Sequence, residues 1–159
     1  MMRSAVISAC GRFRYELTRQ WDAHLPAAVY VMLNPSTADA EVDDQTIRKC
    51  IGFAERLGFG AFTVVNLFAF RATKPADLKR NHYPIGPDND RAIMRAVAAA
   101  DATVICAWGF NAKGLARPAE VLDLLRQAGK TPMALHVNAS GEPAHPLMLA
   151  YTHGLRPLG

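Results

Sequence analysis

The chain predicts an α/β fold: a three-layer α/β/α domain around a four-stranded, mostly parallel sheet, preceded by an N-terminal β-hairpin. Three observations carry this. Four short, apolar, β-branched runs at 29–33 (VYVML), 62–65 (FTVV), 103–107 (TVICA) and 133–137 (MALHV) alternate with helix-like segments, the pattern of buried parallel strands joined by helices. Each run stops on a short polar motif: Asn34-Pro35-Ser36, Asn66, Trp108-Gly109 and, through a turn, His145-Pro146-Leu147. The 159 residues, half of them hydrophobic, suit one domain with a substantial core. Ligands of such sheets sit at the carboxyl ends of the strands, so the four motifs propose one composite site.

Residues 4–9 and 13–19 flank Cys10-Gly11-Arg12 as a hairpin. In its second arm Phe13, Tyr15 and Leu17 alternate with Arg14, Glu16 and Thr18, giving an apolar face and a wet one. Residues 22–27 connect to the first buried run, which opens into the polar loop NPSTADAEVDD. Asp43 and Asp44 are N-cap candidates for a helix from about 45 to 57, closed by Gly58 and Gly60. Its apolar face is Ile47, Ile51, Phe53, Ala54 and Leu57. The second run ends at Asn66 and continues as LFAFRATKPADLKRNHYPIGP, a connector with three prolines expected near the site. Asp88 or Asn89 caps a helix to about 99, and the third run leads into a loop at 108–114. A helix follows from 118 to 128, with Pro118 in its first turn and Gly129 as its stop. The fourth run, the turn NASGEP and HPLML complete a single domain over 1–159, without repeats or an interdomain linker.

Net charge is +4, compatible with an anionic partner without requiring one. Cys10, Cys50 and Cys106 are far apart and form no C-x-x-C, so isolated reduced thiols and a cytoplasmic location are expected. The opening MMRSAVISACG has too short an apolar stretch for a signal peptide, and no run reaches membrane-spanning length. Walker, G-x-G-x-x-G and nucleophile-elbow motifs are absent from the sequence. Asp39, Glu41, Asp43 and Asp44 could hold a metal, but capping of the next helix accounts for most of them. Asp39 is left without a structural task, and no metal or organic cofactor is expected.

Pro35 biases Asn34 towards extended geometry at the strand's mouth, where its amide could orient a water or read an amide-like edge. The same N-P-S-T is also ordinary turn chemistry. Asn66 closes an apolar run, so it needs either a structural partner or a ligand. His145 could donate from a neutral imidazole to a developing anion, or be a plain loop histidine. Arg71 belongs to a scatter of basic residues of the kind that is usually solvated surface.

The combination LNPSTAD, DDQTIRKC, VVNLFAFRAT, GPDND, AWG and GEPAHPLML, in that order, resembles a bacterial and phage domain-of-unknown-function family over nearly the whole chain. More distantly, the order strand–N-P, strand–N, strand–W-G, H-P-x-x-L is similar to the uracil-DNA glycosylase superfamily. That resemblance implies a uracil-DNA glycosylase-like fold and the hydrolysis of an N-glycosidic bond in a nucleobase, nucleoside or modified nucleic acid. Asn34 then matches the water-positioning residue, Asn66 the base-reading asparagine, His145 the histidine steadying the departing base, and Leu149 the leucine wedged into the DNA stack. Pro35, Ser36, Asp39, Asp44, Arg71, Trp108 and Gly109 complete the expected substrate-binding set. Met32 replaces the glycine of the first motif, Ala150 stands where a phosphate-gripping serine is usual, and Ile47 is nearest to the usual stacking phenylalanine. These departures imply weak nucleic-acid binding. The alternative expectation is a non-catalytic nucleotide- or nucleic-acid-binding module of the same fold.

Overall fold

A computed structural model describes residues 1–99 and 101–159. In chain order the elements are β1 (Met2–Ile7), β2 (Arg14–Gln20), β3 (Ala27–Met32), α1 (Gln45–Arg56), β4 (Ala61–Asn66), α2 (Pro75–Arg80), α3 (Asn89–Val97), β5 (Thr103–Cys106), α4 (Arg117–Gln127), β6 (Met133–Ala134) and β7 (Arg156–Pro157). The strands form one sheet in the order β1-β2-β4-β3-β5-β6-β7.

This corrects the four-stranded, mostly parallel expectation. The sheet has seven strands and is mixed, with β4-β3-β5-β6 paired in parallel and β1-β2, β2-β4 and β6-β7 antiparallel. The N-terminal hairpin is not an appendage, because β2 pairs with β4 from Leu17 opposite Val64 to Gln20 opposite Ala61 and so extends the sheet. The strand expected at 133–137 is regular only over Met133–Ala134, and the connector expected after Asn66 contains the short helix α2.

The two-residue period of the strands divides their side chains between two cores. Val29, Val31, Val65, Val104 and Cys106 pack on Leu78, Ile93, Val97, Val121 and Leu125, which places α2, α3 and α4 on one face. Tyr30, Met32, Phe62, Val64 and Ile105 pack on Ile47, Cys50 and Phe53 of α1 on the other. The chain leaving β3 therefore turns to one face of the sheet, and the chain leaving the adjacent β5 turns to the opposite face. A crevice opens at carboxyl ends where neighbouring connections diverge in this way. Asn34 and Trp108-Gly109 stand on its two sides.

The alternation in β2 does not give the wet face expected of it. Arg14, expected on the wet face, and Arg19, of the same parity as Leu17, are both buried: the β1–β2 register shifts between Val6–Glu16 and Ile7–Arg14, and carbonyls of the loop 36–44 accept from both guanidinium groups. Arg19 donates to Asp43 Oδ1 at 2.8 Å and to Asp39 O at 2.6 Å, and Asp43 also pairs with Arg3. Asp43 thus braces the loop, while Asp44 alone caps α1 through Ile47 N. Asp39 has a structural task as well. Its carboxylate accepts from Glu41 N and Val42 N, and these bonds hold it below the usual aspartate range. Among the described residues no helix is long and apolar enough to cross a membrane.

Candidate functional site

Beyond the ends of β3 and β4 the two chains keep running side by side. Leu67 N donates to Met32 O, Phe68 N to Leu33 O and Ala72 N to Pro35 O. This extension carries Asn34 and Asn66 into the wall of one cleft of about 670 Å³. Opposite walls come from the start of α1, the loop 108–111 and the segment 144–149. The volume falls within the range of small-molecule sites.

Asn34 is half-buried, and its Nδ2 donates to Pro35 O at 2.9 Å and to Ala72 O at 2.8 Å. Those two bonds fix the amide's orientation and leave Oδ1 as its acceptor for the cleft.

Asn66 is the unusual group. It is 1 % exposed, lines the cleft, and neither Oδ1 nor Nδ2 has a hydrogen-bond partner. Met32 lies in register beside it on β3, and both line the cleft with Val64 and Ile47. An unsatisfied buried amide costs about 1–3 kcal/mol. Its donors and its acceptor are therefore unspent beside the apolar side chains of Met32, Val64 and Ile47.

His145 is half-buried and leads into a 3-10 turn, Pro146–Met148. Its Nδ1 accepts from Leu147 N at 3.2 Å, so the neutral ring carries its proton on Nε2. Burial pushes the imidazole below its ordinary value, and the charge of Asp44 pulls it partly back. The segment bearing His145 is tied to β5 twice. Gly109 N donates to Pro143 O at 2.8 Å, and Trp108 Nε1 donates to Glu142 Oε2 at 2.6 Å. Glycine is needed at 109, where φ is +82° and a Cβ would sit 3.2 Å from that of His145.

Arg14 is the site residue that alternation hid. Only 3 % exposed, it lines the cleft, donates from Nη1 to Ala38 O at 2.9 Å, and leaves Nε unpartnered. Burial pushes its guanidinium down to about 10, with Asp44 opposing the shift and Arg71 and Arg19 adding to it. Asp44 lines the same cleft, and its charge acts on both Arg14 and His145.

The cleft therefore brings together Asn34, Ser36, Asp44, Asn66, Trp108, Gly109, His145 and Leu149. Pro35 is buried and acts through Asn34, whereas Asp39 and Arg71 do not line the cleft. The Arg71 guanidinium reaches Gly11 O in the hairpin turn instead. Leu149 packs partly buried against the α1 core, and Met148 beside it is the exposed apolar side chain, at 85 %. Phe110, largely exposed, adds an aromatic ring to the cleft that no sequence motif marked. Burial raises the thiols of Cys50 and Cys106, which removes them as nucleophiles. Among the described residues, no group of three or more His, Cys, Asp or Glu side chains is placed to hold a metal ion.

One family matches the chain: it is described as a protein of unknown function (DUF1643), and it covers residues 14–147. Neither the curated proteins nor the solved structures give a match.

Proposed function

We propose that the chain, which belongs to the DUF1643 family, is an N-glycosidic hydrolase of a nucleobase-containing substrate, with a uracil-DNA glycosylase-like arrangement of its strand-end motifs. The observation that carries this reading is Asn66, a buried amide with both polar atoms free in the wall of a cleft. An amide edge of that kind pairs with the mixed donor and acceptor edge of a base.

Asn34 and His145 fit the remaining chemistry. The Asn34 Oδ1 orients a water towards the sugar carbon, while Asp44 keeps one carboxylate oxygen on Ile47 N and takes the water's proton on the other. The C–N bond breaks with its electron pair on the base nitrogen, and the His145 Nε2–H donates to the anionic leaving base. The neutral tautomer suits this role, since Nδ1 is taken by Leu147 N and the ring proton stays on Nε2. Phe110 offers a stacking surface from the segment after β5, whereas the glycosylase resemblance places the stacking ring near Ile47.

The test is release of free base. The protein is incubated with deaminated and modified bases in nucleosides, nucleotides, single-stranded DNA and duplex DNA, and released base is read by mass spectrometry. Release from at least one substrate class, lowered about a hundredfold or more in Asn34→Ala and His145→Ala, is expected. Saturable binding with every bond intact would assign the cleft to a non-catalytic binding module instead.

A further inference from the structure

A buried cation normally has an anion against it, because an ion removed from water and left unpaired costs several kcal/mol. Arg14 is 3 % exposed, and among the described residues it forms no ion pair within salt-bridge distance, although the loop 36–44 that accepts its hydrogen bond carries Asp39, Asp43 and Asp44. Asp43 is taken by Arg19 and Arg3, and Asp39 by backbone N–H groups. Asp44 acts on Arg14 only at longer range, while its Oδ1 caps α1. The Nε of Arg14 is left without a partner. The start of the twelve-residue helix α1, whose N-terminus favours negative charge, lines the same cleft through its N-cap Asp44 and through Gln45 and Thr46, as does Ser36.

We propose that the cleft holds an anion subsite in which Arg14 binds the terminal phosphate of a mononucleotide. The proposal rests on the nucleobase reading above and narrows its substrate class. Burial decides between two sources of phosphate. A phosphodiester within a nucleic acid carries a nucleotide on each side and cannot reach a guanidinium so deeply enclosed. A terminal phosphate monoester can enter, and a cleft of about 670 Å³ has room for one nucleotide. Asn66 and Arg14 line the same cleft from adjacent strands, Asn66 at the end of β4 and Arg14 at the start of β2, where its N donates to Ala69 O. Base edge and phosphate can therefore be held by one ligand.

The experiment titrates the full chain with inorganic phosphate, with nucleoside monophosphates of the common bases, with the matching nucleosides and with a short single-stranded oligonucleotide. Calorimetry and thermal shift are measured at constant ionic strength. At least one nucleotide should bind about tenfold or more tightly than its nucleoside, as expected for a charge-assisted hydrogen bond. Phosphate alone should raise the unfolding midpoint above a chloride control. Arg14→Gln should abolish both effects while leaving nucleoside binding in place, and Arg14→Lys should restore part of the phosphate effect.

The comparison of nucleotide with nucleoside needs no variant, so it stands even if Arg14→Gln fails to fold. Equal binding of nucleotide and nucleoside, or an oligonucleotide bound more tightly than any nucleotide, would overturn the subsite. Stabilisation by phosphate that depends on Arg14, with no binding of any nucleoside or any preference among bases, would keep the subsite and reject the nucleobase reading.

Discussion

At the scale of single residues, an unpaired amide in a cleft wall is a stability cost, which the proposed nucleobase reading explains as one kept for a ligand. Replacing Asn66 by leucine removes two unsatisfied polar atoms and keeps a similar volume, so Asn66→Leu should stabilise the fold by about 1 kcal/mol in chemical denaturation while abolishing ligand binding. A loss of stability instead would mean that the amide serves the fold. His145 gives a second, independent signature. Its folded-state pKa lies below the ordinary 6.5, so the unfolded chain takes up the proton first as pH falls. Stability from this residue is complete above pH 6.5 and declines below it, down to the lowered folded-state value. Denaturation of wild type and His145→Gln across pH 5 to 8 should show this component in wild type alone. The roles of these two residues were legible only in part. The position of Asn66 at the end of an apolar run marked it, but its lack of partners depends on how β3 and α1 pack around it.

At the scale of elements, the site is held by the ends of strands rather than by their bodies. Gly109 lets the loop after β5 pass within contact of His145, and the Trp108–Glu142 hydrogen bond ties the same two segments. Gly109→Ala meets both a φ of +82° and a Cβ contact of 3.2 Å. It should cost about 1–3 kcal/mol in denaturation and weaken ligand binding by displacing the imidazole. Unchanged stability would show that the loop has room to move. The strand-ending motifs could be read in advance because an apolar run that stops abruptly is a local signal. Arg14 could not be read in that way. The alternation in β2 is interrupted by the register shift between Glu16 and Arg14, and the burial of Arg14 depends on the distant loop 36–44, which is held by the Arg14–Ala38 and Arg19–Asp39 hydrogen bonds. The short helix α2 was hidden because Pro75 and the closely spaced polar residues around it read as a connector.

At the scale of the whole molecule, the sheet is wider than its apolar runs suggest. β1 is exposed along most of its length and β7 is only two residues long, so neither has the buried apolar character that marked the central strands. The net charge of +4 is modest, and Arg14, the buried cation of the cleft, is enclosed. Nucleic acid should therefore bind weakly, and its affinity should fall steeply between 50 and 200 mM salt. Tight binding to DNA that survives high salt would show that a surface outside the cleft supplies the grip.

The relation between cleft and ligand is tested most directly at the Asn66 side chain. In a protein labelled with ¹⁵N, the Nδ2 resonances of Asn66, assigned by their loss in Asn66→Asp, are followed through titrations with nucleotides carrying each common base. The expected result is a downfield shift and slowed exchange of these protons with at least one base, as the free amide gains its partner. Resonances elsewhere in the cleft that respond while the Asn66 amide stays unmoved would contradict it.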